Sequence, residues 1–278
     1  MKKLELGPSG MSLNVSTDGA HLREAAELED LGYSTIWLAG GQLDSLDPLT
    51  EIIRATSSIL VGSSIIPLDV YSSEQVAATF ADIETDHSGR FIVGLGGPQR
   101  PKALQAMNDF LDRLDTAEPP VPVGRRVLAA NGPRKLELAR DRFAGAMPLL
   151  VTPGYTARAR RILGVDSTLI VSQFVVLDTD PGRARETARG PLRFLLGGGI
   201  PGYTANVRRM GFTDDEISSL SDQLVDALVV WGDADAIVAR VDEHRRAGAD
   251  QVALAVLAEG SQPRPIQAAR QLAAQLLS

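Results

Sequence analysis

Three glycines follow an apolar run in the stretch RFIVGLGGPQRP, where Gly94, Gly96 and Gly97 come directly before Pro98. Glycine has no Cβ, so it lets a backbone come close to a ligand. It is also a common residue of tight turns. The pattern leaves two interpretations open: a turn without chemistry, or a wall against which a flat ligand lies.

A second group of small residues follows the next apolar run, in the stretch AANGPRK, which contains Ala130, Asn131, Gly132 and Pro133. Proline suits the first turn of a helix, and the free backbone amides at such a start favour anions. We therefore expect a phosphate group near these residues. The alternative is an ordinary helix start.

Residue types that serve metal or covalent chemistry are scarce. The 278-residue chain has no cysteine, and its three histidines are His21, His87 and His244. His21 and His244 fall in predicted helices, and His87 falls in a turn before a strand, so we expect no metal site. A set of small residues at strand ends instead suits a planar, phosphorylated cofactor that brings its own reactivity.

An alternation of short apolar runs and helical segments must position these residues. Eight of the apolar runs are typical of strands that are buried on both faces, as in a parallel sheet. Each run precedes a helix. This alternation predicts a single α/β domain with a (β/α)8 barrel fold over residues 1–278. A doubly wound sheet is the alternative, but it usually has an early GxGxxG turn, which this chain lacks. The predicted strands are Leu4–Gly7, Ser34–Gly41, Ile59–Pro67, Arg90–Gly97, Arg125–Pro133, Gly145–Val151, Thr168–Asp178 and Asp250–Glu259.

In such a barrel the active residues gather where the strands end. The expectation is that one rim holds Gly7, Gly41, Ile65, Gly97, Asn131 and Val151. Residues 195–216, after the seventh strand, contain three consecutive glycines and are expected to form a lid or insertion over the mouth of the barrel. A plain flexible loop is the alternative for that segment.

The composition excludes several classes of function. The formal net charge is −7 and the pI about 5.1, so binding to nucleic acid is not expected. No apolar run approaches the roughly 18 residues of a membrane span, and the amino terminus lacks the apolar region of a signal peptide. We expect a cytoplasmic protein that acts on a small molecule.

Four stretches resemble the luciferase-like (bacterial luciferase-type) flavin and deazaflavin oxidoreductases, and in particular the coenzyme F420-dependent branch. The resemblance covers almost the whole chain in the expected order. The stretches are AAELEDLGYSTIWLAGG, ILVGSSIIPLDVYSSEQVAATFADIETDHSGRFIVGLGG, RVLAANGPRKLELARDRFAGAMPLLVTPGYTARARRILG and LVDALVVWGDADAIVARVDEHRRAGADQVALAVL.

The resemblance implies a (β/α)8 barrel with the cofactor ring across the strand ends. It implies a cis peptide bond between Ser64 and Ile65, beside the ring, and places Gly96 and Gly97 along the ring and its side chain. Ala130, Asn131, Gly132 and Pro133 would meet the cofactor tail and phosphate. The remaining cofactor-binding positions expected are Gly40, Gly41 and Pro98.

The chain departs from the family pattern in three places. Relatives commonly have Asp or Ser followed by His at the end of the second strand, where this chain has Gly40 and Gly41. The usual Ala-Asp-Gly reads Phe143, Ala144 and Gly145, and the insertion after the fourth strand is short. The sequence therefore identifies no catalytic residue. The polar candidates for a proton donor are Gln42, Asp44, Asp69, Tyr71, Gln99 and Tyr155.

The leading hypothesis for function is an oxidoreductase that passes a hydride between reduced coenzyme F420 and a small organic substrate. The alternatives are an FMN-dependent monooxygenase of the same family and a non-catalytic protein that binds flavin or deazaflavin. A homodimer is expected from the family and from the frequency of two-fold symmetry among oligomers.

Overall fold

The computed structural model describes residues 3–39, 43–97 and 102–277. Within them lie ten strands: β1 (Ser9–Leu13), β2 (Thr35–Leu38), β3 (Leu60–Ser63), β4 (Ile66–Pro67), β5 (Phe91–Gly96), β6 (Arg126–Leu128), β7 (Gly145–Ala146), β8 (Thr168–Leu177), β9 (Val229–Gly232) and β10 (Gln251–Val256). The helices are α1 (Ala20–Asp30), α2 (Asp47–Arg54), α3 (Ser73–Asp86), α4 (Ala103–Asp115), α5 (Pro133–Arg142), α6 (Pro153–Leu163), α7 (Pro181–Phe194), α8 (Pro201–Arg209), α9 (Asp214–Ser219), α10 (Asp222–Leu228), α11 (Ala234–Arg246) and α12 (Pro265–Leu276).

Eight of the strands form a closed parallel barrel. The order is β1-β2-β3-β5-β6-β7-β8-β10, and β10 pairs with both β8 and β1, which closes the ring. β4 pairs with the end of β5, and β9 pairs with the carboxyl half of β8. The predicted (β/α)8 fold is confirmed. Among the described residues, no helix is long and apolar enough to cross a membrane.

Side chains from six strands or strand ends fill the barrel interior. The cluster consists of Trp37, Ile92, Val127, Met147, Ile170 and Ala253. Trp37 is fully buried, and its indole lies over Gly62, where an added Cβ would be 2.3 Å from the ring. The Trp37 Nε1 donates to Gln251 Oε1 at 2.8 Å, which ties β2 to β10 across the barrel.

The first strand is the one strand that the sequence analysis misplaced. It runs over Ser9–Leu13, whereas Leu4 and Leu6 precede it and pack against the interior cluster. A Cβ on Gly10 would lie 3.0 Å from Trp37 Nε1, so small residues in this strand leave room for the indole. The Gly7 carbonyl accepts a hydrogen bond from Gln251 Nε2, at the amino end of β10. Gly7 therefore lies at the end of the barrel opposite the predicted rim.

The segment that was expected to be a lid or loop is mostly helical. It contains a π-helical turn at Leu195–Gly199, then α8 and α9. Residues of α7 to α10 and of β9 form a second hydrophobic cluster outside the barrel, with Val207 and Leu224 fully buried in it. β9, which the sequence analysis did not predict, belongs to this additional unit.

Candidate functional site

A cavity of about 650 Å³ lies at the carboxyl ends of β3, β5, β6 and β7. α8 also contributes to its wall. The lining residues include Ile65, Pro67, Asp69, Gly96, Gly97, Leu104, Ala129, Asn131, Gly132, Pro133, Arg134, Lys135, Met147, Ile200, Gly202, Tyr203, Ala205 and Arg209. This is the end of the barrel where the sequence analysis placed the functional residues.

One wall of the cavity is formed where β3 ends. The peptide bond between Ser64 and Ile65 is cis, as the resemblance implied. The Ile65 side chain then lies on Gly96, because a Cβ at Gly96 would be 2.1 Å from Ile65 Cδ1. Ser64 itself is half-buried, and its N–H donates to the Leu38 carbonyl at 2.6 Å. Gly96 therefore leaves room for the Ile65 side chain, and both residues line the cavity.

Gly97 and Gly94 are glycines for other reasons. A Cβ at Gly94 would be 1.8 Å from the Ser63 carbonyl oxygen, so β3 and β5 come too close there for any side chain. At Gly97 the nearest atoms to an added Cβ are Met107 Cε at 3.5 Å and Lys135 Nζ at 3.7 Å, which are ordinary contacts. None of the three glycines has a positive φ. These glycines therefore do not form a turn that needs a positive φ.

The strand end after β6 is held by side-chain hydrogen bonds. Asn131 Nδ2 donates to the Leu149 carbonyl at 2.7 Å, and Asn131 Oδ1 accepts from the Leu149 N–H at 3.3 Å. The Tyr155 hydroxyl donates to the Asn131 carbonyl at 2.7 Å. Ala130 is fully buried and does not line the cavity. The Asn131 side chain thus positions this strand end, and the backbone of Asn131 and Gly132 faces the cavity.

The polar candidates for a proton donor are mostly engaged elsewhere. Burial raises the pKa of the Tyr155 hydroxyl, which bonds to backbone carbonyls. The Tyr71 hydroxyl donates to the Leu43 carbonyl at 2.6 Å, and burial, followed by the charges of Asp44 and Asp47, raises its pKa. Asp69 lies on the cavity wall and is exposed. Neither Tyr71 nor Tyr155 therefore offers a free hydroxyl as an acid, whereas Tyr203 does line the cavity.

Five sequence-predicted positions lie outside the described residues: Gly40, Gly41, Gln42, Pro98 and Gln99. Six of the predicted cofactor-binding residues do line one cavity: Ile65, Gly96, Gly97, Asn131, Gly132 and Pro133. Among the described residues, no three His, Cys, Asp or Glu side chains converge in a way that could hold a metal ion.

Three cations line the cavity, and the sequence analysis named none of them. Arg134 and Lys135 lie in the first turn of α5, and Arg209 reaches in from the end of α8. Arg209 Nη2 would be 3.5 Å from a Cβ on Gly132. The start of α5 carries no acidic residue and no side-chain cap. The stretch NGPRK contains Arg134 and Lys135, so these two could have been found from sequence. Nothing in that stretch indicates that Arg209 of α8 lies beside them.

A second cavity of about 700 Å³ lies outside the barrel mouth, between the π-helical turn, α8 and α9. Its arginines already have carboxylate partners. Arg208 Nε is 2.5 Å from Asp214 Oδ1, and Arg193 Nη2 is 2.8 Å from Glu186 Oε1. Since its arginines are paired and no strand end reaches it, the cavity at the carboxyl ends of β3, β5, β6 and β7 is the better candidate site.

Comparisons with known proteins agree with this architecture. Residues 9–119 match the family model of the luciferase-like monooxygenases. A protein of Mycobacterium tuberculosis, assigned as a coenzyme F420-dependent oxidoreductase, is 25% identical, and the alignment covers 87% of this chain and 91% of that protein.

Two solved structures share the fold over nearly the whole chain. An F420-dependent secondary alcohol dehydrogenase in complex with an F420-acetone adduct has a TM-score of 0.73 at 14% identity, covering 99% of this chain and 98% of that one. The oxygenating constituent of 3,6-diketocamphane monooxygenase from Pseudomonas putida, in complex with FMN, has a TM-score of 0.62 at 13% identity, covering 99% and 97%. The resemblance read from the sequence is confirmed: residues 9–119 match the luciferase-like family model, and the barrel fold is shared with these solved structures over 99% of the chain.

Proposed function

We propose that this protein is an oxidoreductase that uses coenzyme F420 to transfer a hydride to or from a small organic substrate. The observation that carries the proposal is the cavity of about 650 Å³ at the carboxyl ends of β3, β5, β6 and β7, which joins an apolar wall to a cationic end. The relative from Mycobacterium tuberculosis supports F420 as the cofactor.

The cavity residues fit a planar ring with a phosphorylated tail. Ile65, Pro67, Leu104 and Met147 offer apolar surface for a ring. Residues 131–133 lead into α5, and the free N–H groups of its first turn, those of Arg134 and Lys135, favour a phosphate there. Arg209 stands beside Gly132, on the same side of the cavity. The proposed ligand positions are therefore Ile65, Gly96 and Gly97 for the ring, and residues 131–133 for the tail.

The protein's own part in the reaction is to bind, orient and exclude water. The chemistry that a bound reduced deazaflavin supplies is hydride donation. Tyr203 and Ala205 of α8 cover the cavity opposite the strand ends. We propose that residues 195–216 form a lid that shields the substrate from solvent. We also propose that the lid is part of a single domain that spans residues 1–278.

A turnover assay tests the proposal. Purified protein is incubated with oxidised F420 and a panel of alcohols, and with reduced F420 and the corresponding ketones, while F420 absorbance is followed. We expect substrate-dependent change in the oxidation state of F420. Tight binding of F420 without turnover of any substrate would favour the non-catalytic alternative.

An FMN-dependent monooxygenase is the second candidate, because the family model and the FMN-bound structural neighbour both point to monooxygenases. Oxygen uptake separates the two functions, since reduced flavin reacts with oxygen far faster than reduced deazaflavin does. Substrate-dependent uptake with reduced FMN, and none with reduced F420, would establish the second candidate.

We further propose that the protein is a cytoplasmic homodimer. The lack of cysteine suits a reducing compartment, and two-fold dimers are the commonest oligomers. Sedimentation at micromolar concentration is expected to give a mass of twice 29.6 kDa. A monomer under those conditions would refute the dimer.

A further inference from the structure

Lys135 differs from the other two cations of the cavity at the barrel mouth. Arg134 and Arg209 are exposed, whereas Lys135 is half-buried. Its Nζ would lie 3.7 Å from a Cβ on Gly97, next to the buried Met107. Lys135 therefore reaches from the first turn of α5 to the end of β5, beneath the surface of the cavity.

No carboxylate balances this charge. Lys135 forms neither an ion pair nor a hydrogen bond within residues 3–39, 43–97 and 102–277, and the ten remaining residues include no Asp or Glu. Among the described residues that line the cavity, Asp69 is acidic, whereas Arg134 and Arg209 add two positive charges to that of Lys135. Burial alone lowers the pKa of the Lys135 ammonium.

Such an arrangement costs stability unless an anion completes it. A partly buried charge is normally paired, and a lysine in the first turn of a helix stands at the positive end of the helix dipole. In this chain most arginines do have carboxylate partners, for example Arg142 with Asp112 and Arg185 with Asp226. The three cations of the cavity are therefore available for a ligand.

We propose that Lys135 binds an oxyanion of the ligand that occupies this cavity, either the phosphate ester of a cofactor or the carboxylate of a substrate. This inference rests on the proposed function, because it takes the cavity as the ligand site. It makes Lys135 a residue that selects for negatively charged ligands, and it adds to the expected phosphate positions a side chain that the sequence analysis passed over.

Lysine NMR gives a readout that does not depend on turnover. The chain has four lysines, Lys2, Lys3, Lys102 and Lys135, so protein with 13C-labelled lysine shows four Cε signals. Lys135→Arg identifies the Lys135 signal by its loss. We expect inorganic phosphate, FMN and F420 each to shift this signal and to raise the pH at which it titrates. Acetate acts as the carboxylate probe, and riboflavin, which lacks the phosphate, serves as the uncharged control.

Affinity measurements on a matched pair of variants complete the test. Lys135→Met keeps the apolar stem but removes the charge, and Lys135→Arg keeps the charge. We expect Lys135→Met to weaken F420 and FMN about 10-fold or more and to leave riboflavin unchanged, with Lys135→Arg in between. If Lys135→Met weakens the binding of acetate and anionic substrates but not of F420 or FMN, the anion that Lys135 binds is a substrate carboxylate.

The outcomes separate this inference from the proposed function. If F420 or FMN binds but the Lys135 signal stays in place and Lys135→Met binds normally, the role of Lys135 is refuted while the proposed function stands. If neither cofactor binds the wild type, the proposed function fails, and the inorganic phosphate titration alone decides on Lys135. An unshifted signal in that titration overturns the inference.

Discussion

Neighbouring atoms require glycine at two of the three positions at the end of β5, and the third position has room for a side chain. Gly94 lies against the Ser63 carbonyl, Gly96 lies beneath the Ile65 side chain, and Gly97 has ordinary space toward Met107 and Lys135. Only the last of these positions adjoins the cavity without another side chain filling the place of its Cβ. Gly97 is therefore the glycine whose substitution tests ligand binding with the least damage to the fold.

Replacing Gly97 with valine is expected to lower cofactor affinity while leaving the fold nearly intact. The added methyl groups extend toward Met107 Cε and Lys135 Nζ from a residue without positive φ. Gly94→Ala is the contrasting variant, because its methyl group would meet backbone atoms and cost about 1–3 kcal/mol or more. Thermal unfolding and cofactor titration are measured on both. Lost stability with unchanged affinity per folded molecule in Gly97→Val would contradict this interpretation.

His244 is expected to make the protein sensitive to acid. It is fully buried, with Nδ1 2.8 Å from Thr156 Oγ1 and Nε2 2.9 Å from Gln173 Oε1. Burial, with a smaller effect of Arg240, lowers its pKa from 6.5 to about 3. Between these values the unfolded chain binds the extra proton, so the free energy of unfolding falls as pH drops below 6.5, by up to about 1.4 kcal/mol per pH unit.

Urea denaturation at pH 7, 6 and 5 measures this slope. In His244→Gln the change in the free energy of unfolding with pH should be smaller by the contribution of one proton. We also expect this variant to be less stable than the wild type at pH 7. An equal slope in both proteins would show that other groups cause the acid sensitivity.

At the scale of elements, α8 joins the additional helical unit to the barrel mouth. One face of α8 carries Gly202, Ala205 and Arg209 to the cavity, and Tyr203 and Val207 contact the cluster outside the barrel. The π-helical turn at Leu195–Gly199 precedes it. The lid proposal therefore means that α8 moves about this turn and so opens the cavity.

Gly197→Ala tests whether this turn acts as a hinge. Gly197 has no positive φ, and an added Cβ would meet nothing within 4 Å. Alanine should therefore be tolerated and should restrict the turn. We expect cofactor association and dissociation, followed by stopped flow, both to slow, with little change in the equilibrium constant. Unchanged rates would mean that α8 does not move to admit the ligand.

The elements that could be predicted from sequence are those fixed by local pattern. Continuous apolar runs identified seven barrel strands. β1 was missed because its glycine is required by Trp37, which lies on another strand. Lys135 was passed over for a similar reason: local pattern places a lysine in α5 but does not show that no carboxylate lies near it.

At the scale of the whole molecule, closure of the barrel brings residues from distant parts of the chain to one mouth. Ile65 and Asn131 follow the ends of β3 and β6, Arg209 is the last residue of α8, and all three line one cavity. Directly beneath it, Met147 belongs to the interior cluster that contains Trp37. A ligand in the cavity is thus separated from this tryptophan by few side chains.

The central claim is that this cavity binds F420, and titration of Trp231→Phe tests it most directly. The chain has two tryptophans, so this variant leaves Trp37 as the only indole. The account predicts saturable quenching of Trp37 fluorescence by F420, with weaker affinity for FMN, and loss of quenching when Gly97→Val is added. Absence of saturable binding by either cofactor, with the protein folded as judged by its thermal transition, would contradict it.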